Sequence, residues 1–228
     1  MRANLSTAAR AGSLGKSLLS GESRWIAAGA AIVAAILQLR LPEALSIGPS
    51  ALVPGVSAAI IAFLLGFNPG RLNAESTNLR ALSIGLIAIM TLSNLSSLGL
   101  LLHSLLNGSS IEGRRLVYAA VEIWFTGVIV FGLWLWELDR GGPLARAMHT
   151  EIQPDLLFPQ MVDPSLCHGP WMPTFLDYLY VSLTNSTAFS PTDTMPLTGR
   201  VKILMSAESL ASLATIAVVG ARAVNILK

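Results

Sequence analysis

The chain of 228 residues is 53% hydrophobic and only 12% charged. An average soluble domain is about 25% charged, so this chain has too little polar material to cover a water-facing surface. The composition argues against a soluble globular enzyme and predicts a protein that lies mostly in lipid. The basic residues are scattered along the chain and form no basic run, so nucleic acid is not an expected partner.

The first part of the chain predicts a basic arm followed by a membrane region. Residues 1–24 carry four basic side chains but only short apolar stretches, which is typical of a flexible arm rather than a cleaved signal. Three apolar stretches follow, at 25–39, 50–67 and 79–106. The first is short for a span, because a membrane-spanning helix needs about 20 apolar residues. The second contains Pro54-Gly55, where a kink or a broken helix is expected. Residues 25–106 are therefore predicted to form a three-helix membrane region.

The stretch at 116–136 has the clearest features of a span. Arg114 and Arg115 precede it, and it ends with Trp134 and Trp136 as an interfacial aromatic belt. The run DRGGP at 139–143 then stops the helix through glycine conformations and proline. A fifth apolar stretch lies at 201–223. The predicted fold class is an all-α membrane protein with about five transmembrane helices.

The region between the last two spans is rich in proline and strongly acidic. Residues 137–193 hold seven acids and two bases, a net charge of −5, whereas the whole chain carries +2. If this region lies outside the membrane, its charge would concentrate cations. It also contains a shorter apolar segment at 175–182 (FLDYLYVS), whose length fits a re-entrant half-helix better than a span.

Residues 184–200 (TNSTAFSPTDTMPLTGR) resemble the pore loop of the potassium-channel superfamily, whose pattern is roughly T-x-T-T-V-G-Y-G-D-x-x-P-x-T followed by Gly-Arg. When the family's aspartate is placed on Asp193, its proline falls on Pro196 and its first paired threonine on Thr187. The remaining positions of the filter-like loop TAFSPTD are Ala188, Phe189, Ser190, Pro191 and Thr192. The resemblance implies a pore-like module at 107–228, with outer helix 116–136, extracellular loop 137–172, pore helix 173–187, filter-like loop 188–194 and inner helix 199–223.

The filter-like loop departs from the family at the glycines. A potassium filter aims successive backbone carbonyls inward, and its glycines permit the dihedral angles that this requires. Ser190 and Thr192 replace both glycines here, and Pro191 fixes its own φ and biases Ser190 toward an extended conformation. A hydroxyl-rich turn is left, and strict potassium selectivity is not predicted.

The whole sequence also resembles a group of uncharacterised bacterial integral membrane proteins typical of actinobacteria. The stretches that carry this resemblance are WELDRGGP (136–143), DLLFPQ (155–160), DYLYVSLTNSTAFSPTD (177–193) and ARAVNIL (221–227). This resemblance implies a channel-like protein of the bacterial inner membrane, without an established activity.

Polar residues within the spans have two interpretations each. Asp193 forms a ring of carboxylates at a pore mouth in a fourfold assembly, or it caps a turn before Pro196. Glu208 lies about two turns into the fifth span, where an acid usually faces a cavity or a partner, so a functional or inter-helix role is favoured over a hydrogen-bonded structural role. Glu122 has the same two options but can still reach the interface beside Arg115. The stripe of Ser206, Ser209, Ser212 and Thr215 lines a pore or allows close helix packing, and packing is favoured.

No metal or cofactor is expected. The chain has one cysteine, Cys167, so it can form no internal disulfide and no multi-thiolate zinc site. The neighbouring His168 is followed by no further ligands, and no catalytic constellation is recognised, so an enzyme is not expected either.

The sequence thus predicts a homotetramer in the lipid bilayer that passes monovalent cations with weak selectivity. The alternative is a non-conducting membrane scaffold or partner-binding protein that retains a pore-loop fold. The pore-loop topology places the C-terminus in the cytoplasm. It also conflicts with the positive-inside rule, because only five of the fifteen basic residues then lie inside. The conflict disappears if the second stretch does not cross the membrane, or if 173–192 is an ordinary loop.

Overall fold

The computed structural model describes residues 24–67, 77–107, 111–148, 152–167, 169, 171–187 and 193–226. These residues are mainly helical. In chain order the elements are α1 (Arg24–Arg40), α2 (Leu52–Phe67), α3 (Thr77–Leu106), α4 (Gly113–Leu138), α5 (Pro143–Met148), β1 (Leu156–Leu157), α6 (Pro159–Val162), α7 (Phe175–Ser186), β2 (Met195–Pro196) and α8 (Gly199–Ile226). Single 3-10 turns lie at Glu43–Leu45, Asp139–Gly141 and Pro164–Leu166.

Three helices are long and apolar enough to cross a membrane. Their apolar segments are Asn78–Leu106, Gly113–Gly141 and Gly199–Gly220, which identifies the chain as an all-α membrane protein. The helices α1 and α2 have 17 and 16 residues, or about 26 and 24 Å of length at 1.5 Å per residue. Of the five predicted spans, three therefore reach full length among the described residues.

The predicted break at Pro54 does not occur in the described helix. Pro54 lies in the first turn of α2, and the helix continues from there to Phe67. The first N–H groups of a helix have no intrahelical acceptor, so a proline in the first turn removes no hydrogen bond. The prediction of a kink or a broken helix at Pro54-Gly55 is therefore wrong for the described helix, which begins at Leu52.

The helix α4 is the centre of the bundle and packs against α1, α3, α7 and α8. In the most apolar 18 residues of α4, 56% of the segment is buried, compared with 39% for the same length of α3 and 28% for α8. One apolar cluster joins its second half to α1 and α7, and a second cluster joins its first half to α3 and to Val218 of α8. The same numbers leave α8 as the most exposed of the three long helices.

Candidate functional site

The helix α7 begins and ends at different depths beside α4. At its start the Tyr178 hydroxyl donates a hydrogen bond to Asp139 (2.5 Å), at the end of α4. One turn later Ser182 donates to the carbonyl of Val128 (2.7 Å), three turns back along α4. At its last residue, the carbonyl of Ser186 accepts a hydrogen bond from Ser212 of α8. The helix α7 therefore runs antiparallel to α4, away from the end of the bundle that holds Asp139.

The chain returns to this same end before α8 begins. The Leu197 N–H donates to the carbonyl of Asp155 (2.8 Å), and β2 pairs with β1 in an antiparallel register. Arg200, in the first turn of α8, also binds Asp155. Ser212 lies 12 residues further along α8, or about 18 Å deeper. The end of α7 at Ser186 thus lies about this distance from the end of the bundle at which β2 pairs with β1.

The tight packing of α7 on α4 depends on a glycine. A Cβ atom at Gly132 would lie 3.2 Å from the Cα atom of Leu179, closer than such atoms normally approach. The start of α7 is fixed by a capping box, in which the Asp177 carboxylate accepts from the Thr174 N–H (2.7 Å) and the Thr174 side chain accepts from the helix. A close backbone approach and a fixed first turn together hold α7 in place.

The end of the bundle that contains Asp139 is held by an ionic cluster of three acids and four arginines. Its members are Glu137, Asp139, Asp155, Arg80, Arg140, Arg146 and Arg200. Asp139 is fully buried, and its carboxylate accepts from the Asp155 N–H (2.8 Å), from Tyr178 and from Arg140 Nε (3.3 Å). Asp155 in turn accepts from the Arg140 N–H (2.8 Å). The two aspartates thus tie the end of α4 to the loop that follows it.

Asp155 connects this loop to α8. The Arg200 guanidinium binds both of its carboxylate oxygens, through Nε at 2.9 Å and through a terminal nitrogen at 2.5 Å. Burial favours the neutral carboxyl, but hydrogen bonds from Arg200 and from the Arg140 backbone outweigh it and lower the pKa of Asp155 below its ordinary value of 3.8. Asp155 is therefore a charged partner for Arg200 at neutral pH.

The remaining two arginines reach the ionic cluster by different routes, Arg146 through a left-handed turn after α4 and Arg80 from α3. Arg140, Gly141 and Gly142 have φ values of 53°, 83° and 98°, which confirms that the DRGGP run stops α4. The buried Arg146 then reaches back to the carbonyls of Trp136 (2.5 Å) and Asp139 (3.0 Å), and its guanidinium stacks 4.9 Å from the ring centre of Tyr178. Arg80 of α3 pairs with Glu137 (3.5 Å). Four separate segments of the chain meet in the ionic cluster.

The acidic region at 137–193 is partly neutralised, because Arg80 and Arg200 change its net charge from −5 to −3. Of its seven acids, Glu137, Asp139 and Asp155 are buried in the ionic cluster. Asp177 belongs to the capping box, Asp163 and Asp193 are exposed, and Glu151 lies outside the described residues. A count of charges along the sequence cannot see this pairing, because Arg80 and Arg200 come from outside the acidic region.

Glu208 has a different environment in the middle of α8. Its side chain is buried, with 2% of the residue exposed. Its carboxylate accepts hydrogen bonds from Ser186 (2.9 Å) and from Asn185 Nδ2 (2.7 Å), and it shares the single hydroxyl proton of Ser182 with the Val128 carbonyl. All three donors lie on α7. These donors are neutral, and no basic side chain among the described residues forms an ion pair with Glu208. Glu208 therefore faces α7, whose donors were not predicted from the sequence.

The hydroxyl stripe on α8 faces α7 over part of its length. Ser212 is buried and accepts from Trp124 Nε1 (2.7 Å), and Ser209 donates to Asn185 Oδ1 (3.1 Å). Ser206 is exposed and donates to the carbonyl of Lys202 within its own helix. The contacts of Ser209 and Ser212 are those of helix packing, the interpretation favoured from the sequence.

A small, partly open cavity lies beside Glu208, between α3, α4, α7 and α8. It offers about 20 Å³ for the centres of water-sized spheres, which is room for a single water molecule. Its polar lining includes Asn94, Ser186, Glu208, Ser212 and Thr215, and its apolar lining includes Leu98, Ile123 and Phe131. Asn94 is buried, and its Oδ1 has no hydrogen-bond partner among the described residues.

The remaining predicted residues have these positions. Thr187 ends α7, and its hydroxyl donates to the carbonyls of Leu183 (3.2 Å) and Thr184 (3.0 Å). Asp193 is exposed at the start of the segment that leads into β2. The positions Ala188, Phe189, Ser190, Pro191 and Thr192 lie outside the described residues, as does His168. Glu122 pairs with Arg40 (3.1 Å) rather than lying beside Arg115.

The ionic cluster was not predicted as a site. Its three acids and Arg140 lie in WELDRGGP and DLLFPQ, and Tyr178, which binds Asp139, lies at the start of DYLYVSLTNSTAFSPTD. Arg80, Arg146 and Arg200 lie outside these stretches. The aromatic rings of Phe158 and Tyr178 meet there at 5.5 Å, and those of Trp136 and Phe175 at 6.1 Å. The sequence signal that could have identified the cluster is a group of acids and arginines next to a double glycine at the end of an apolar span.

The chain matches no protein-family model, no curated protein and no solved structure. The likeness to pore-loop channels therefore depends on the residues quoted above.

Proposed function

We propose that the protein is a channel-like integral membrane protein in which four copies of the chain surround a pathway for monovalent cations. The observation that carries this proposal is the position of α7, a short helix that runs from the end of the bundle holding Asp139 to the middle of α8. A short helix between two long ones, followed by a hydroxyl-rich stretch, is the order of elements in a pore-loop module. Thr187 and Asp193 are the described residues on either side of that stretch, and residues 188–192 lie outside the described part of the chain.

Electrostatics at the end of α7 support a cation pathway. The C-terminal end of a helix carries partial negative charge, and Thr187 is the residue that caps α7 there. Asp193, six residues after Thr187, adds an exposed carboxylate. In a fourfold assembly these groups would repeat around one axis, which favours cations over anions.

The surface of α8 supports self-assembly. Its exposed apolar residues include Ile203, Leu210, Leu213 and Ile216, which follow the spacing of one helix face. Only 28% of its apolar window is buried within one chain. A helix that lines a shared axis contacts neighbouring copies on this face, whereas α4 is already enclosed by its own chain.

Cation flux into liposomes tests the proposal. Purified protein is reconstituted, and uptake of K⁺ and Na⁺ is measured for the wild type, for Asp193→Asn and for the control Asp163→Asn. Asp163 is an exposed acid whose carboxylate accepts a hydrogen bond from the Ser165 N–H (2.9 Å). Its neutralisation is expected to leave the flux unchanged. We expect flux in the wild type and a several-fold loss in Asp193→Asn.

Absence of flux from a purified tetramer would contradict the channel and favour the non-conducting scaffold, and a monomer in detergent would do the same. The proposed location is the bacterial inner membrane, with the ionic cluster outside and the C-terminus in the cytoplasm. Cys167 is a partly exposed free thiol in the loop between α6 and α7, so a membrane-impermeant thiol reagent added outside should label it. Labelling from the cytoplasm only would reverse the orientation.

A further inference from the structure

Glu208 is a buried acid whose charge has no compensation in the described part of the chain. Its hydrogen-bond donors are two serines and an asparagine, which orient the carboxylate but add no positive charge. An acid in the middle of an apolar span is costly unless a proton, a basic side chain or a cation neutralises it. The described residues supply no basic side chain, so the compensation has to come from outside the protein.

The cavity beside Glu208 has the size and the ligands for one ion. Oxygen atoms of carboxylates, amides and hydroxyls are the ligands that hard cations prefer. The cavity walls supply the carboxylate of Glu208, the hydroxyls of Ser186, Ser212 and Thr215, and the amide of Asn94. Asn94 is 94% buried, counting from its 6% exposure, and its Oδ1 accepts no hydrogen bond from the described residues. A buried carbonyl oxygen without a donor is costly, and a cation satisfies it.

We propose that this cavity binds one monovalent cation, held by Glu208 and Asn94 within a single chain. A monovalent ion fits because Glu208 brings one negative charge and the other lining oxygens are neutral. The described residues contain no group of three or more His, Cys, Asp and Glu that could hold a metal, and divalent ions are usually bound by more than one such group.

The site is separate from the shared axis of the proposed channel. Its walls are α3, α4, α7 and α8 of one chain, so a bound cation links the four helices from inside. The inference therefore does not depend on conduction, and a protein that conducts nothing can still bind the ion.

Cation-dependent stability in detergent tests the site. Thermal unfolding is measured at pH 8 and constant ionic strength in sodium, potassium and choline chloride, because choline is too large for the cavity. In the wild type we expect a midpoint about 5–10 °C higher in Na⁺ or K⁺ than in choline at a hundredfold excess over Kd. Titration calorimetry with the same salts should give one ion per chain.

Two variants and a control separate the site from general salt effects. Glu208→Gln keeps the shape of the side chain but removes its charge, and Asn94→Leu removes the amide oxygen at similar volume. Both should lose the cation-dependent shift, whereas Asp163→Asn should keep it. If Glu208→Gln does not fold, Asn94→Leu still decides the question.

Equal midpoints in all three salts for the wild type, without binding heat, would overturn the site. So would an unchanged shift in both variants. Flux in liposomes without binding in detergent rejects this site alone, and binding without flux rejects the proposed channel alone.

Discussion

The ionic cluster and Glu208 are two buried acidic regions of this protein whose carboxylates have opposite kinds of partner. In the ionic cluster, three acids meet four arginines, and Asp139 and Asp155 also accept backbone N–H groups. At Glu208, one carboxylate meets only hydroxyl and amide donors. Acids that are fully paired with arginines stabilise a fixed geometry, whereas an acid without a basic partner leaves a charge for a ligand to neutralise.

The comparison separates structural acids from candidate binding acids, which the sequence could not do. Both regions contact α7, since Tyr178 binds Asp139 and Ser182 binds Glu208. The ionic cluster binds the start of α7 at the end of the bundle. Glu208, in the middle of α8, accepts hydrogen bonds from the later turns of α7. Variants that remove one region and spare the other therefore test the distinction.

The largest effect is expected for Asp139→Ala. The substitution leaves Arg140 without its carboxylate and the Tyr178 hydroxyl without its acceptor, in a fully buried position. Removing one partner of a buried ion pair costs about 3–5 kcal/mol, so the unfolding midpoint in detergent should fall strongly. The control is Asp163→Asn, at an exposed acid, which should change stability by about 0.5 kcal/mol or less. A small effect at Asp139 would mean that the ionic cluster is not structural.

An intermediate effect is expected for Gly132→Ala, which disturbs both regions by moving α7. The added Cβ would lie 3.2 Å from the Cα of Leu179, so the backbone of α7 has to shift, at a cost of about 1–3 kcal/mol. Gly99→Ala is the control, because Gly99 lies in α3 with nothing within 4 Å of its added Cβ. That variant should be unchanged or slightly more stable. Equal midpoints for the two variants would contradict the close approach of α7 and α4.

The smallest effect is expected from the ionisation of Asp155. Its pKa is lowered in the folded protein, so its contribution to stability is complete above its unfolded pKa of about 4. That contribution is lost as the pH falls further, through the lowered folded value. The loss should be about 1–2 kcal/mol, since the Arg200 side chain is 53% exposed and water screens the pair. Unfolding midpoints of the wild type and Asp155→Asn between pH 3 and 7 should converge at the acidic end. Parallel curves would exclude Asp155 as the titrating group.

The long helices could be predicted from the sequence because hydrophobicity is a local property. The expected spans 79–106 and 116–136 differ from α3 and α4 by three residues or fewer at each end. The start of the predicted inner helix, residue 199, agrees with α8. The short helix predicted at 173–187 differs from α7 by two residues or fewer at each end, and a capping box at Thr174 explains why α7 begins where it does.

The partners of the charges could not be predicted because they are distant in sequence. Asp155 meets Arg200 across 45 residues, and Arg80 meets Glu137 across 57. Glu208 could be recognised as an intramembrane acid from its position in an apolar run. Its donors on α7 and the cavity that it shares with Asn94 depend on how four helices pack, which no single segment encodes.

The hydrogen bonds of Glu208 couple the middle of α8 to the residue before the filter-like loop. Ser186 donates to the Glu208 carboxylate and accepts from Ser212 through its own carbonyl, and Thr187 is the next residue of the chain. A change in charge at Glu208 would alter the strength of the hydrogen bond from Ser186 and so shift the last turn of α7. Occupancy of the Glu208 site, about 12 Å along α8 from Arg200, would in this way be transmitted to Thr187.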